Sequence, residues 1–171
     1  INIVLKISLS ESIHGIDKII TYKDSNNNKN IINVKCSSGI QNKTKLTYIG
    51  MGNQNIKNVD PGNLIVTLEY ENNKIFSIKH ANNLIVTIKI DYITASVGGV
   101  KNMDSFVKNE IINFKIPELV KDGDILISEN TGLLDKHGKR GNVYGVVKLV
   151  PPKLSNKKKE AIQYIISYSE K

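Results

Sequence analysis

The chain repeats itself, and the repeat limits its architecture more than any single motif does. Leu5-Lys6-Ile7-Ser8, running on to Gly15, returns as Ile88-Lys89-Ile90-Asp91 running on to Gly98. Val34-Lys35-Cys36 leading to Gly52 returns as Phe114-Lys115-Ile116 leading to Gly132, and Gly62-Asn63-Leu64 returns as Gly141-Asn142-Val143. All three pairs keep their order at an offset of about 80 residues, which predicts two tandem modules of one design.

Period-two alternation with β-branched residues makes those modules β-rich. Ile1, Ile3, Leu5 and Ile7 alternate with Asn2, Val4 and Lys6, and Leu64, Val66, Leu68 and Tyr70 with Ile65, Thr67 and Glu69. Leu84, Val86, Ile88 and Ile90 repeat the pattern, and several of these strands are apolar on both faces. In each module a strand is followed by one or two helical turns, which Gly15 and Gly98 are expected to close as left-handed caps. Asn26, Asn27 and Asn28 read as a solvated hairpin tip. After Pro151 and Pro152 the period becomes helical, with Ser155 as N-cap and Ile162, Ile165 and Ile166 as an i, i+3, i+4 stripe near Tyr168. Lys157 to Lys159 oppose the macrodipole in the first turn, so this helix needs an apolar partner. The expected fold is mainly β: two tandem β-sandwich-like modules, each with a short helix, followed by a C-terminal helix.

Charge and cysteine content narrow the function. Net charge is +8, but every cation except Arg140 is a lysine and they are scattered, whereas base and phosphate recognition favours clustered arginine. This composition argues against a dedicated nucleic-acid site. The single Cys36, set in the run Ile31, Ile32, Val34, excludes an internal disulfide framework and a multi-cysteine zinc module and reads as a small core residue. No apolar stretch reaches membrane-spanning length, and no cleavable signal peptide is visible. No histidine sits in a ligand-like or triad-like arrangement, Asp122-Gly123-Asp124 reads as a turn and Gly98-Gly99 as a cap and turn. Accordingly no catalytic residue, metal or cofactor is expected. The chain opens at Ile1 inside a strand pattern, which reads as an excised fragment.

Taken together, the segment Ser8-Leu9-Ser10-Glu11-Ser12-Ile13-His14-Gly15, the strand opener Gly62-Asn63-Leu64-Ile65-Val66, Asn82-Asn83-Leu84 followed by Ala95 to Gly98, Arg140-Gly141-Asn142-Val143 and Pro151-Pro152-Lys153-Leu154-Ser155 carry a resemblance. In this order and spacing the chain resembles the C-terminal client-binding and dimerisation region of DnaJ-type co-chaperones, heat-shock protein 40. Three departures stand out. Ile20 to Ile31 holds a polar hairpin and no cysteine where zinc-binding members insert four Cys-x-x-Cys-x-Gly-x-Gly repeats, so the chain looks like the zinc-free type. None of His14, His80 and His137 begins the His-Pro-Asp signature of a J domain. The family's His-Pro-x-Phe reads Asn73-Lys74-Ile75-Phe76, and its strand-opening aspartates are Asn63 and Asn142, which leaves the turn hydrogen bonding open.

The resemblance implies a first module over 1–72, a second over 73–152 and a dimerisation helix over 153–171. It implies binding of unfolded polypeptide clients in a shallow groove formed by Ile3, Leu5, Ile20, Tyr22 and Val66, and delivery to a heat-shock protein 70 chaperone, with a homodimer in the cytoplasm or an organelle. It aligns Lys18 and Lys29 with lysines that receive the partner chaperone's acidic C-terminal tail. It assigns Ile162, Ile165 and Ile166 to the subunit interface. The residues alone leave other readings open: the alternating groove residues as ordinary core, the lysines as solvated surface, and the helix folded back on its own module. The alternative function is a lysine-rich β module that binds nucleic acid or an acidic partner surface.

Overall fold

A computed structural model describes residues 1–54 and 59–169. The first module runs through β1 (Asn2–Ile7), α1 (Leu9–His14), β2 (Ile16–Lys23), β3 (Lys29–Cys36), β4 (Thr44–Tyr48) and β5 (Leu64–Tyr70). The second comprises β6 (Ser77–His80), β7 (Asn83–Asp91), α2 (Tyr92–Val97), β8 (Gly99–Asp104), β9 (Ile111–Ile116), β10 (Ile125–Ser128) and β11 (Val143–Val150), and α3 (Asn156–Ser169) closes the chain. The fold is mainly β, as expected, and the repeat is plain in its topology. In each module the strand before the short helix pairs parallel with the last (β1 with β5, β7 with β11), an antiparallel strand flanks the last (β4, β10), and a separate hairpin (β2–β3, β8–β9) supplies the second layer. In the second module β6 also pairs antiparallel with the start of β7 on the side away from β11, a pairing without a counterpart among the described residues of the first.

Local chemistry explains why a helix of six residues interrupts each module. In α1 Ser8 and Glu11 form a reciprocal capping box, in which Glu11 N–H donates to Ser8 Oγ at 3.2 Å and Ser8 N–H to Glu11 Oε2 at 2.9 Å. In α2 Asp91 does this work, accepting from the N–H groups of Ile93 and Thr94. The closing glycines differ in conformation from expectation. Gly15 has φ 89°, ψ 173° and Gly98 φ 78°, ψ −178°, so φ is positive but ψ is extended, because the next residue already enters a strand. That region is essentially reserved for glycine, and a Cβ on Gly15 would lie 2.6 Å from the Cys36 carbonyl oxygen.

The turn bonding left open by Asn63 and Asn142 is intact. Each side-chain oxygen accepts a backbone N–H, from Gly50 at 3.3 Å and from Asn130 at 3.1 Å, as a carboxylate would. Each module has its own core cluster, one around Ile7, Val34, Leu64, Val66 and Leu68 and one around Leu84, Ile112, Phe114, Leu133 and Val143. The modules also touch. Leu9 of α1 is buried in the second cluster, Tyr70 packs against both, and Gln41 Nε2 donates to the Leu134 carbonyl at 2.9 Å.

Candidate functional site

Among the described residues the β1 edge of the first module is unpaired along its whole length, whereas the start of the equivalent β7 edge is covered. Ile65 N–H donates to the Ile1 carbonyl and Glu71 N–H to the Ile7 carbonyl, so the odd residues of β1 face β5. By strand alternation the N–H and C=O groups of Asn2, Val4 and Lys6 point the other way, and no described strand pairs with them. In the second module the corresponding edge of β7 is occupied from Asn83 to Ile85 by β6, and Phe76 just before β6 is buried in the core. An unpaired edge in this place is a template for an added strand.

Apolar side chains lie beside that edge. Ile3 and Leu5 of β1 and Ile20 and Tyr22 of β2 are half-buried, and all four pack against the core cluster of the first module. All four therefore border one core cluster. Val66 differs: with no accessible surface it is core beneath the strip, because β5 is the central strand between β1 and β4. The Tyr22 hydroxyl donates to the Met51 carbonyl at 2.7 Å, which fixes the ring at the mouth of an open polar cleft of about 700 Å³ bordered by Asp24, Asn28 and Gln54.

Lys18 and Lys29 are not brought together. Lys18 shares the inward-facing parity of Ile16, Ile20 and Tyr22, whereas Lys29 lies opposite Lys23 on the outward face. Lys23 is five steps beyond Lys18 along β2, which separates the two sites by about 17 Å. Lys18 also has a partner already: its Nζ is 2.7 Å from Glu11 Oε1. Partial burial works to raise the Glu11 pKa, but the hydrogen bonds from Lys18 and Ser8, with the Lys18 charge, outweigh it and hold the carboxyl below its ordinary value. The outward face carries something the strand pattern implied but did not rank: Ile19 and Ile31 are 75% and 73% exposed between Lys23, Lys29 and Lys35.

Among the described residues of α3 none is buried. Ile162 is half-buried and lines an open cleft of about 350 Å³ with Ile93, Pro152 and Leu154. Ile165 and Ile166 are 65% and 53% exposed, and Tyr164 stacks on Tyr168 with ring centroids 6.3 Å apart. Tyr164 was legible from its i, i+4 relation to Tyr168.

Residues 1–152 match the sequence model of the family described as the DnaJ C terminal domain. The chain belongs to the DnaJ C-terminal domain family. It is 30% identical over 140 residues to the chaperone protein DnaJ of Mycoplasma mycoides subsp. mycoides, covering 78% of this chain and 36% of that protein. Similarity to the chaperone protein DnaJ of Chlamydia muridarum is 26% over 137 residues, covering 79% and 35% respectively. The chain thus spans about a third of the length of these DnaJ relatives. Within the DnaJ C-terminal framework, the Ser8–Glu11 capping box and the Glu11–Lys18 pair link α1 to β2 at the foot of the apolar strip. Strand alternation could not reveal that link, because it depends on α1 folding back beside β2. No helix among the described residues is long and apolar enough to cross a membrane.

Proposed function

We propose that this chain is the client-binding and dimerising part of a heat-shock protein 40 co-chaperone, which holds unfolded polypeptides and passes them to a heat-shock protein 70 chaperone in the cytoplasm. The observation that carries it is the β1 edge, unpaired among the described residues, together with Ile3, Leu5, Ile20 and Tyr22 bordering one core cluster. A client lies antiparallel to β1, as β6 does to β7, giving its backbone to Asn2, Val4 and Lys6 and its apolar side chains to the strip. Each buried Leu or Phe of the client contributes about 1.5 to 3 kcal/mol, much of it offset by ordering the peptide, so binding is weak and reversible.

In this reading the acidic tail of the partner chaperone docks on the outward face through Lys29 with Lys23, and Lys18 joins only by leaving Glu11. The modules divide at residues 72 and 152. Ile165 and Ile166, assisted by Tyr164, pack against a second subunit and place two weak client sites on one assembly, which raises avidity. The test is fluorescence anisotropy with a labelled, permanently unfolded client. Binding is expected, with marked weakening in a folded Leu5→Asp, Ile20→Asp double variant. Because both side chains are half-buried, that variant also loses some thermal stability. Full affinity in the folded variant refutes the groove.

A further inference from the structure

The two modules present the same sheet face to solvent, but with opposite chemistry. The register pairs Leu5 with Leu68 and Leu46 with Val66 in the first module, and Ile88 with Val147 and Leu126 with Gly145 in the second, which fixes the equivalent positions. Where β4 carries Lys45 and Thr47, β10 carries Ile125 and Ile127, which are 52% and 51% exposed. Thr67 becomes Val146 and Asn2 becomes Ile85, Val4 changes the other way to Thr87, and Ile65 becomes the broader, hydroxyl-bearing Tyr144. Ile127, Tyr144 and Ile85 are direct cross-strand neighbours, as are Ile125 and Val146. The result is a continuous apolar patch across three strands.

Its charges are equally distinctive. In the first module Lys6 faces Glu69 across the β1–β5 pair at 2.7 Å. At the equivalent positions Lys89 faces Lys148, like charges directly opposite each other, and neither makes an ion pair among the described residues. A third cation, Lys79 of β6, lies 3.7 Å from the centroid of the Tyr144 ring. Asp91 at the end of β7 is engaged by its α2 cap, Asp122 and Asp124 beside β11 accept the N–H groups of Leu149 and Lys121 and form no ion pair with Lys148, and Glu129, just past β10, borders the opposite end of the face from Lys89 and Lys148. Like charges directly opposite are unfavourable unless a third group neutralises them.

We infer that the outer face of the β10–β11–β7 sheet docks an acidic amphipathic polypeptide segment, its apolar residues on Ile125, Ile127, Tyr144 and Val146 and its carboxylates between Lys89 and Lys148. This site is separate from the β1 edge and independent of the client-binding reading.

The probe is a synthetic peptide with leucines at helical spacing and glutamates elsewhere, titrated against the 171-residue chain. A matched peptide with lysines for glutamates serves as control. The acidic peptide binds and the basic one does not, affinity falls as salt rises, and peptide-induced amide shifts are confined to β7, β10 and β11. Lys148→Glu, which restores the pairing pattern of the first module, weakens binding roughly tenfold. Ile125→Lys with Ile127→Thr abolishes it, and Val4→Pro leaves it unchanged. Equal binding of both peptides, or shifts confined to β1 and β2, overturns the inference. So does a fall in sedimenting mass on Ile125→Lys with Ile127→Thr, because a second copy of the chain then covers the face. Should that pair unfold the protein, the Lys148→Glu titration and the shift map of the unaltered chain decide alone.

Discussion

Proline at position 4 separates edge pairing from simple hydrophobic contact. Val4 is 54% exposed and its N–H points away from β5, so Val4→Pro removes no hydrogen bond of the sheet, and proline is tolerated on an edge strand in that orientation. The melting temperature should fall by no more than a few degrees, from the restricted φ. For a client strand the loss is larger. The central donor of the edge disappears, at about 1 kcal/mol net for one hydrogen bond, and the ring blocks approach to the flanking groups of Asn2 and Lys6. A total of about 2 to 3 kcal/mol corresponds to roughly 30- to 150-fold weaker binding of an unfolded client. Anisotropy with a labelled unfolded polypeptide reads this out. Val4→Thr, which keeps the N–H and the β-branched shape, should bind like the parent chain. A folded Val4→Pro variant with undiminished client affinity refutes strand addition at β1.

Three further outcomes follow from the geometry. The bonds from the N–H groups of Thr94 and Ile93 and from the Thr94 hydroxyl hold the Asp91 carboxyl below its ordinary pKa. The stability it supplies is therefore complete above the ordinary aspartate range and lost as pH falls through the lowered value. Asp91→Ala should cost about 1 kcal/mol at neutral pH in denaturant melts, and Asp91→Asn should keep the cap while flattening that acid dependence. Arg140 makes a two-pronged contact with Glu110 at 2.9 Å and donates to the Gly132 and Thr131 carbonyls, all in a half-buried setting. Arg140→Ala should cost about 1 to 3 kcal/mol and lower the melting temperature by several degrees, with Arg140→Lys recovering only part, because one ammonium cannot replace the planar fork. Ile165→Asp with Ile166→Asp should halve the mass in analytical ultracentrifugation without changing the thermal stability of the β modules. An unaltered dimer mass, or a monomeric parent chain at tens of micromolar, refutes the helix interface.

The repeat, the alternating strands and the helical stripe after Pro152 were legible in the sequence because each is a short-range property. Side-chain period reports which residues face a core, and an offset of about 80 residues reports that the same unit is built twice. It was the family resemblance, not side-chain period, that singled out Ile3, Leu5, Ile20 and Tyr22, and these border one core cluster from two separate sheets. What local pattern could not supply was strand order. Only the assembled sheet shows that Ser77 to His80 covers the start of the β7 edge, while no described strand pairs with the outer edge of β1. Val66 alternates like Ile3 but lies in the central strand, so it is core, whereas Ile3 lies at an edge and is half-exposed. Lys18 and Lys29 lie eleven positions apart in the chain, but the β2–β3 register sets them on opposite faces, and Lys18 spends its charge on Glu11. Lys89 and Lys148 lie far apart in the chain, yet β7 and β11 pair in parallel and set them face to face. Sequence determined the two β modules and the terminal helix, through local pattern. Tertiary structure decided which edges stay open, which faces are shared and which charges meet, because those follow from long-range pairing that no local pattern encodes.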